Sequence, residues 1–506
     1  MKPDVHAGGR AGMARNTLLN LLGFGAPLVV AMAATPVLVR ALGTERFGIL
    51  TMGWAVIGYF SLFDLGLGRA LTQVVSERLG AGREDEVAPA TWTANALLLA
   101  LGVAGGALLA VTSGYLARSV LKIPPQMQDE AVGTFRLLAL SLPFVTSTAG
   151  LRGVLESYQR FGLVNAIRVP MGLVSYLGPL AVLPFSHSMV PVVAVLAAGR
   201  IAAWGVHVVF CLRTIPALGG ARALQRAMVR PLLRFGGWLT ASNVSSSLMM
   251  YFDRFVIGAV LSMSAVAYYA TPYELASRVQ LLPGAVTAVF FPAFATIFVN
   301  DRRRSWVLFD SCLRAMTVVL FPVILALVTL APDVLRLWLG ADFAQHGTRV
   351  LQWIAAGVLV NSAGVVAATA LQGAGRPEAT GKLNMLELPL YMAALWALLR
   401  ARGVEGAAIA WALRMGVDTA ALFWLSARWG VADRATVRRG GLLLAGVLPV
   451  LWAGAMVDSP AHRLVFLAVA CAAFLAVAWT RVLSVDERAG ARRWLAAARP
   501  GVRGAA

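Results

Sequence analysis

Long apolar runs alternate with short polar breaks along the whole chain. A helix of about 20 apolar residues crosses the ~30 Å hydrocarbon core of a membrane. Such runs lie near 17–39, 47–68, 90–117, 132–155, 163–185, 189–212, 232–260, 264–298, 306–330, 348–371, 380–399, 404–426, 440–456 and 463–482. Because short breaks can be miscounted, the pattern predicts twelve to fourteen spans. We therefore expect an all-α polytopic membrane protein with about fourteen transmembrane helices.

The composition agrees, with 59% hydrophobic and 13% charged residues. The net charge of +20 could indicate nucleic-acid binding, but the basic residues concentrate in loops on the same side as the N-terminus. Short cytoplasmic loops of membrane proteins carry this excess of Lys and Arg. We expect a multi-pass membrane protein with both termini in the cytoplasm, whose basic loops face membrane lipids and bind no nucleic acid.

The first apolar run could also be the core of a cleaved signal peptide. It continues past Pro36 to Val39, which is longer than such a core, so we expect it to remain as a helix. The three cysteines and five histidines are scattered along the chain, which predicts no disulfide, metal site or cofactor. No loop is long enough for a soluble catalytic domain. The sequence therefore favours a transporter over an enzyme, with no catalytic residues.

Three weak similarities indicate an internal repeat. "LESYQRFGLVNAI" (155–167) is similar to "LQGAGRPEATGKL" (371–383), and "LLNLLGFGAP" (18–27) to "LLRFGGWLTA" (232–241); the third match aligns Arg200 with Arg414. All three agree on an offset of about 215 residues, which predicts two six-helix lobes related as parallel repeats. The predicted parts are a cytoplasmic tail (1–16), an N-lobe with helices 1–6 (17–215), a cytoplasmic loop (216–231), a C-lobe with helices 7–12 (232–427), and two further helices with a basic cytoplasmic tail (428–506).

Ionisable residues inside membrane spans are costly, and they usually face a cavity or a partner. In the run 232–260, a polar stripe occupies one helical face, with Asp253 beside it; its members are Asn243, Ser246, Ser247 and Arg254. The stripe predicts a wall of a water-filled or substrate-filled cavity. The alternative is a set of hydrogen bonds that hold neighbouring helices together.

Two acid–base pairs have the spacing of helical ion pairs. Glu274 and Arg278 are four residues apart, as are Arg414 and Asp418. Arg200 aligns with Arg414 in the internal repeat. The guanidinium group is planar and permanently charged, which makes it well suited to binding phosphate. We expect Arg200 and Arg414 to face one shared cavity, although Asp418 could instead neutralise Arg414 for packing.

The stretch "YFSLFDLGLGRALT" (59–72) carries Asp64 inside an apolar run and Arg69 at its end. On a helix, a polar face begins at Arg69 and continues through Thr72, Gln73, Ser76 and Glu77. Arg69 could mark the membrane interface or bind substrate in a cavity, and both interpretations stay open. Asp64 lies deeper and is the more unusual of the two.

The segment "LVRALGTERFGILTMGWAVIGYFSLFDLGLGRAL" (38–71) resembles the second-helix region of Wzx-type polysaccharide flippases, a branch of the MATE-like (MOP) exporter superfamily. The similar features are the "LGTERFG" turn (42–48), "DLG" (64–66) and "LQGAGR" (371–376), with the resemblance extending over roughly 15–425. It implies two six-helix lobes around a central cavity. It also implies an oligosaccharide on undecaprenyl diphosphate, flipped from the inner to the outer leaflet of the bacterial cytoplasmic membrane.

We therefore expect a lipid-linked oligosaccharide flippase that works by alternating access, with polysaccharide polymerase and glycosyltransferase machinery as expected partners. The expected substrate-binding residues are Arg69, Arg200, Asn243, Ser247, Arg254, Arg278 and Arg414. The expected charge partners, which could also couple an ion, are Asp64, Asp253, Glu274 and Asp418. A MATE-like cation-coupled drug exporter is the alternative. A scaffold without transport is a third class.

Overall fold

The structure is a computed structural model, and it describes residues 10–62, 66–220, 248–284, 301–484 and 487–489, with a few single positions between these ranges. Within the described residues every regular element is a helix. The predicted all-α class is confirmed.

The helices of the first half of the chain are α1 (Arg10–Leu62), α2 (Leu67–Gly80), α3 (Val87–Tyr115), α4 (Gln128–Ser157), α5 (Phe161–Val182), α6 (Met189–Thr214), α7 (248–260) and α8 (Met263–Ser277). Most of them lie within or overlap predicted apolar runs, whereas α2 begins at the end of the run 47–68 and continues through the polar face that follows it.

The second half contains α9 (Arg302–Thr329), α10 (Ala331–Leu339), α11 (Ala341–Gly373), α12 (Pro377–Arg428), α13 (Arg434–Ala455) and α14 (Pro460–Val477). Helix α10 is short, whereas α12 has 52 residues.

Ten helices in the described part of the chain are long and apolar enough to cross a membrane. Two of them contain a sharp break at a glycine, Gly43 in α1 (φ 76°) and Gly403 in α12 (φ 61°). A positive φ is unfavourable for residues with a Cβ, so glycine allows the chain to turn there. Each of these helices covers two predicted runs. The protein is a multi-pass membrane protein, and the count of fourteen spans stays a prediction.

The chain forms two compact units, Met1–Ala270 and Thr271–Ala506. In unit 1, α4 packs against α1, α2, α3 and α6. Its buried side chains Leu151 and Val154 belong to a cluster with Leu71, Val75 and Leu98. Helix α4 therefore forms the centre of unit 1.

In unit 2, α11 has the central position, against α9, α10 and α12, and α13 and α14 pack on α9. Large aromatic side chains fill this core, including Phe309, whose ring lies 6.1 Å from that of Phe423. The predicted boundaries of the N-lobe, the inter-lobe loop and the C-lobe stay predictions.

Candidate functional site

Side chains of α7 and α8 form a buried polar network in unit 1. Oδ1 of Asp253 accepts hydrogen bonds from the backbone nitrogen (2.8 Å) and Nη1 (3.0 Å) of Arg254. Oδ2 accepts one from the hydroxyl of Tyr269 at 2.7 Å. Nη1 of Arg254 also donates to the carbonyl of Met250 at 2.9 Å. The side chains of Arg254 and Asp253 are only 3% and 1% exposed, so this arginine is occupied within the protein in the state described.

Arg200 lies near the middle of α6, between Met189 and Thr214. About 16 Å of helix separate it from Met189 and about 21 Å from Thr214, at 1.5 Å per residue. Its side chain is partly exposed. Within the described residues it has no salt bridge or hydrogen bond, in contrast to Arg254. A permanent cation at this depth attracts an anion strongly, because the surrounding dielectric constant is low.

The two halves of α12 bring together the charges of unit 2. Nε of Arg414 lies 3.4 Å from Oε2 of Glu387, whose side chain is 4% exposed. The guanidinium lies over the ring of Tyr391 at 5.4 Å, and Asp418 follows Arg414 by about one turn on the same half of the helix. Arg414 therefore has two acidic neighbours, one on each half of the helix.

Glu387 is not among the predicted site residues. Charges four residues apart on one helix can be paired from the sequence, whereas Glu387 meets Arg414 across the turn at Gly403. A signal was present, because Glu387 is an acid inside the predicted span 380–399. An ionisable residue inside a membrane span usually faces a cavity or a partner, so Glu387 is a candidate site residue on the same ground as Asp253.

The predicted pair of Glu274 and Arg278 is confirmed, with Nη2 of Arg278 2.9 Å from Oε2 of Glu274. Both side chains are exposed, at 48% for Glu274 and 38% for Arg278. Contact with water and with dissolved ions weakens such a pair. Arg278 can therefore exchange its partner more readily than Arg254 can.

Arg69 lies in the first turn of α2 and is exposed. It shares this surface with Gln73, Ser76 and Glu77, while the hydroxyl of Thr72 bonds to the carbonyl of Gly68 at 2.9 Å. The polar face of α2 is thus present. Asp64, Asn243 and Ser247 lie outside the described residues. Arg200 and Arg414 belong to different units, and their shared cavity stays a prediction.

A cavity of about 260 Å³ lies between α3, α4 and α6 in unit 1. Its walls are mainly apolar, with polar side-chain groups from four residues of α3 and α6, namely Thr91, Trp92, Asn95 and Trp204. The apolar lining includes Leu99, Leu151, Val208 and Leu212. Ser147 donates to Oδ1 of Asn95 at 2.6 Å and accepts a bond from Nε1 of Trp204 at 2.8 Å. This network ties the three helices together behind the cavity.

The sequence pattern of the family described as "Polysaccharide biosynthesis protein" matches residues 37–347. A "Putative O-antigen transporter" of Shigella flexneri is 28% identical over 417 residues, which cover 82% of this chain and 97% of the relative. The match therefore extends through both units.

Two solved structures share the fold. An inward-facing MATE family transporter of the MOP superfamily has a TM-score of 0.68 at 15% identity, covering 84% of this chain and 98% of the other. The lipid II flippase MurJ in an inward closed conformation has a TM-score of 0.67 at 12% identity, covering 91% and 98%. At these identities the two structures establish the fold alone.

Proposed function

Because the chain belongs to the polysaccharide biosynthesis protein family, we propose that it flips a lipid-linked oligosaccharide from the inner to the outer leaflet of the bacterial cytoplasmic membrane. Its substrate is an oligosaccharide on undecaprenyl diphosphate. Its product supplies cell-surface or exopolysaccharide synthesis. The name of the Shigella relative, an O-antigen transporter, supports this substrate class.

The single observation that carries the proposal is Arg200, in the middle of α6, for which the described residues supply no ion-pair partner. A diphosphate must lose much of its hydration to cross the membrane, and the desolvation of an isolated charge is expensive. Arg200 offers a permanent, planar cation that no carboxylate among the described residues neutralises. The negatively charged diphosphate of the substrate then neutralises the charge of Arg200.

The other predicted arginines have different roles in this proposal. Arg278 is exposed and can leave Glu274 for a phosphate, and Arg69 meets the headgroup at the membrane surface. Arg414 is already balanced by Glu387, and Arg254 is occupied by Asp253. Arg254 and Arg414 therefore reach the substrate only after a conformational change.

Alternating access moves the headgroup while the prenyl tail stays in lipid. In this proposal Asn243 and Ser247 hydrate the sugars, and Asp253 and Glu274 hold Arg254 and Arg278 when substrate is absent. Both termini lie in the cytoplasm. The polymerase and glycosyltransferase machinery meets the lipid-linked glycan before and after it is flipped.

A MATE-like exporter of cationic drugs is less favoured. Such a site needs acids that are free of matching bases, because the acids must attract the cation. Here the acid of each described pair has an arginine close by, at 3.0 Å for Asp253 and 2.9 Å for Glu274. The charges of these sites suit an anionic substrate better.

The test uses purified protein in liposomes that contain a fluorescent undecaprenyl diphosphate oligosaccharide in both leaflets. A membrane-impermeant quencher destroys the outer signal, so flipping exposes the remaining probe to it. We expect protein-dependent loss of the protected signal, and no loss with a fluorescent phospholipid. Transport of a cationic dye without flipping of the glycan would instead support the exporter.

A further inference from the structure

The cavity between α3, α4 and α6 is separate from the charged sites described above. Its volume of about 260 Å³ is well above the ~150 Å³ at which a dry apolar cavity already binds benzene. Cys211 and Leu218 complete its lining, so no charged side chain among the described residues faces it. The cavity therefore suits an uncharged, mainly apolar group that is larger than a benzene ring.

The amide nitrogen of Asn95 is available to a ligand in this cavity. The indole nitrogen of Trp204 can only donate, so Ser147 accepts from it and uses its own hydrogen on Oδ1 of Asn95. This arrangement fixes the amide oxygen towards α4 and leaves the two N–H groups of Nδ2. Within the described residues no acceptor binds Nδ2, although Asn95 is only 3% exposed. Asn95 is thus a buried donor without a protein partner on the cavity wall.

Thr91 lies one turn before Asn95 and has the same unusual property. Its Oγ1 is buried, and no group of the described residues bonds to it. Threonines in helices commonly bond to the carbonyl four residues earlier, and Thr93 and Thr112 of α3 both do so at 2.7 Å. A buried polar group without a partner is unfavourable. Two such groups on one wall indicate a ligand that supplies a hydrogen-bond acceptor.

The length of α3 gives the depth of these groups in the membrane. Its 29 residues extend about 43 Å, which exceeds the ~30 Å hydrocarbon core by roughly 6 Å at each end. Thr91 lies about 6 Å of helix from Val87, which places it at the boundary of the core. Asn95 and Leu99 follow at steps of about 6 Å. The polar groups therefore lie nearer the membrane surface, and Leu99 lies deeper within the same leaflet.

The rim of the cavity faces the lipid. Leu212 belongs to the lining and is 36% exposed, and its neighbours Val209 and Val103 are exposed as well. Hydrocarbon tails are as apolar as leucine, so such a surface on spanning helices is in contact with them. At the surface end, Leu218 is held over the lining by a 3.2 Å bond from Nε1 of Trp92 to its carbonyl. A ligand therefore enters sideways, from the bilayer.

We propose that this cavity binds one acyl chain of a membrane phospholipid, whose ester carbonyl accepts hydrogen bonds from Asn95 and Thr91. The chain lies along Leu99 and Val208, and the headgroup stays at the membrane surface. The proposal goes beyond the flippase function and does not depend on it, because this lipid is bound and is not transported.

Two other occupants fit the cavity less well. The prenyl chain of a lipid carrier is a hydrocarbon, so it offers no acceptor to Asn95 or Thr91. A sugar has hydroxyl groups on all sides, and the apolar walls formed by Leu99, Leu151 and Val208 would leave most of them without partners. A phospholipid combines one acceptor near the surface with a long apolar chain.

The first experiment maps the lipid by photo-crosslinking. Purified full-length protein in detergent receives a phosphatidylethanolamine that carries a diazirine on one acyl chain, and labelled peptides are identified by mass spectrometry. We expect strong labelling of 91–99 and 204–212. Leu99→Trp fills the cavity and should reduce this labelling at least fivefold, while labelling of the lipid-exposed helix α14 should stay the same.

Val208→Phe fills the cavity from α6 and provides a second variant, and melting curves verify that both are folded. Loss of cavity labelling in either folded variant supports the site. Equal labelling of 91–99 and 204–212 in the wild type and in both folded variants would mean that only surface lipid is present, and the proposal would be wrong.

The second experiment tests the ester carbonyl by competition. Unlabelled diester phosphatidylethanolamine should displace the photoprobe from the wild type at least threefold better than the diether analogue with the same chains, which lacks the carbonyl. Thr91→Val keeps the shape of the side chain and should reduce this preference. Thr112→Val, on the same helix, is the matched control and should keep it, because the Thr112 hydroxyl already bonds to Leu108. Asn95 is left unchanged, since it also binds Ser147.

Two results would overturn the assignment. Equal competition by the diester and diether lipids in the wild type would exclude the ester contact. Undecaprenyl phosphate that competes better than the diester lipid would identify a prenyl chain as the occupant. Both measurements are made without transport, so they stay decisive even if the protein flips no glycan.

Discussion

The hydroxyl of Tyr269 donates a 2.7 Å hydrogen bond to Oδ2 of Asp253, whose other oxygen is bound by Arg254. Tyr269 is fully buried, and so is Asp253. This bond joins α8 to α7 within unit 1. A buried carboxylate needs all of its partners, because each unsatisfied oxygen loses its hydration without compensation.

We expect Tyr269→Phe to lower the stability of the protein by about 1–3 kcal/mol, the cost of leaving one buried acceptor unsatisfied. The ring still fills its place, so packing is unchanged and the loss reports the hydrogen bond. Thermal unfolding in detergent measures it as a lower melting temperature. The control is Tyr115→Phe, at a position 66% exposed, which should melt like the wild type. Equal melting of both variants would contradict the importance of this bond.

A second prediction concerns Gly48, in the turn that carries the family resemblance. A Cβ at this position would lie 1.9 Å from the carbonyl oxygen of Met263, so α1 and the start of α8 touch through bare backbone. Gly48→Ala should cost at least about 1–3 kcal/mol, because the backbone must move. Expression level and melting temperature should both fall. Gly205→Ala, where a Cβ meets nothing within 4 Å, provides the comparison and should behave like the wild type.

The sequence predicted the features that depend only on the spacing of residues along a single helix. The pair of Glu274 and Arg278 follows from four-residue spacing, and the exposed face of α2 follows from the helical repeat. The apolar runs predicted the helices, since length and hydropathy decide membrane insertion. These features require no knowledge of how the helices pack.

Contacts between distant residues could not be predicted in the same way. Glu387 meets Arg414 only because α12 turns at Gly403. Arg46 lies in the "LGTERFG" turn, and its Nε lies 3.3 Å from Glu130, 84 positions further along the chain. Glu130 also accepts a bond from the backbone nitrogen of Met189 at the start of α6. Such partners depend on packing, and one sequence does not specify it.

A third prediction follows from Glu487, which lies beyond the last membrane span. Oε1 accepts bonds from Ser311 (2.7 Å) and Arg314 (3.0 Å), and Oε2 accepts one from the backbone nitrogen of Ser484 (2.7 Å). Burial opposes ionisation of this carboxyl, but these hydrogen bonds and the charge of Arg314 hold its pKa at about 2. The segment around Glu487 is therefore held against α9 most strongly at pH values above the ordinary pKa of a glutamate, about 4.3.

Since the pKa is lowered in the folded state, this stabilisation is lost as the pH falls from about 4.3 towards 2. Hydrogen exchange of residues 478–489, corrected for its intrinsic pH dependence, measures the attachment. At pH 7 Glu487→Gln should exchange several-fold faster than the wild type, and the difference should shrink below pH 4. Glu378→Gln should have no effect on this segment. A difference that is constant from pH 7 to pH 3 would exclude the carboxylate as its cause.

The last prediction separates a functional arginine from a structural one. Arg200 has no carboxylate partner among the described residues, so Arg200→Gln leaves no buried acid unpaired. We expect the melting temperature to stay the same or to rise, because a partly desolvated charge has been removed. Flipping of the undecaprenyl diphosphate probe should nevertheless fall at least tenfold, since the diphosphate loses its cation. Arg200→Lys should restore part of the rate, because the charge returns without the planar fork. Arg213→Gln, in the exposed last turn of α6, is the matched control and should flip at the wild-type rate. Wild-type flipping by a folded Arg200→Gln variant would mean that the diphosphate is bound elsewhere.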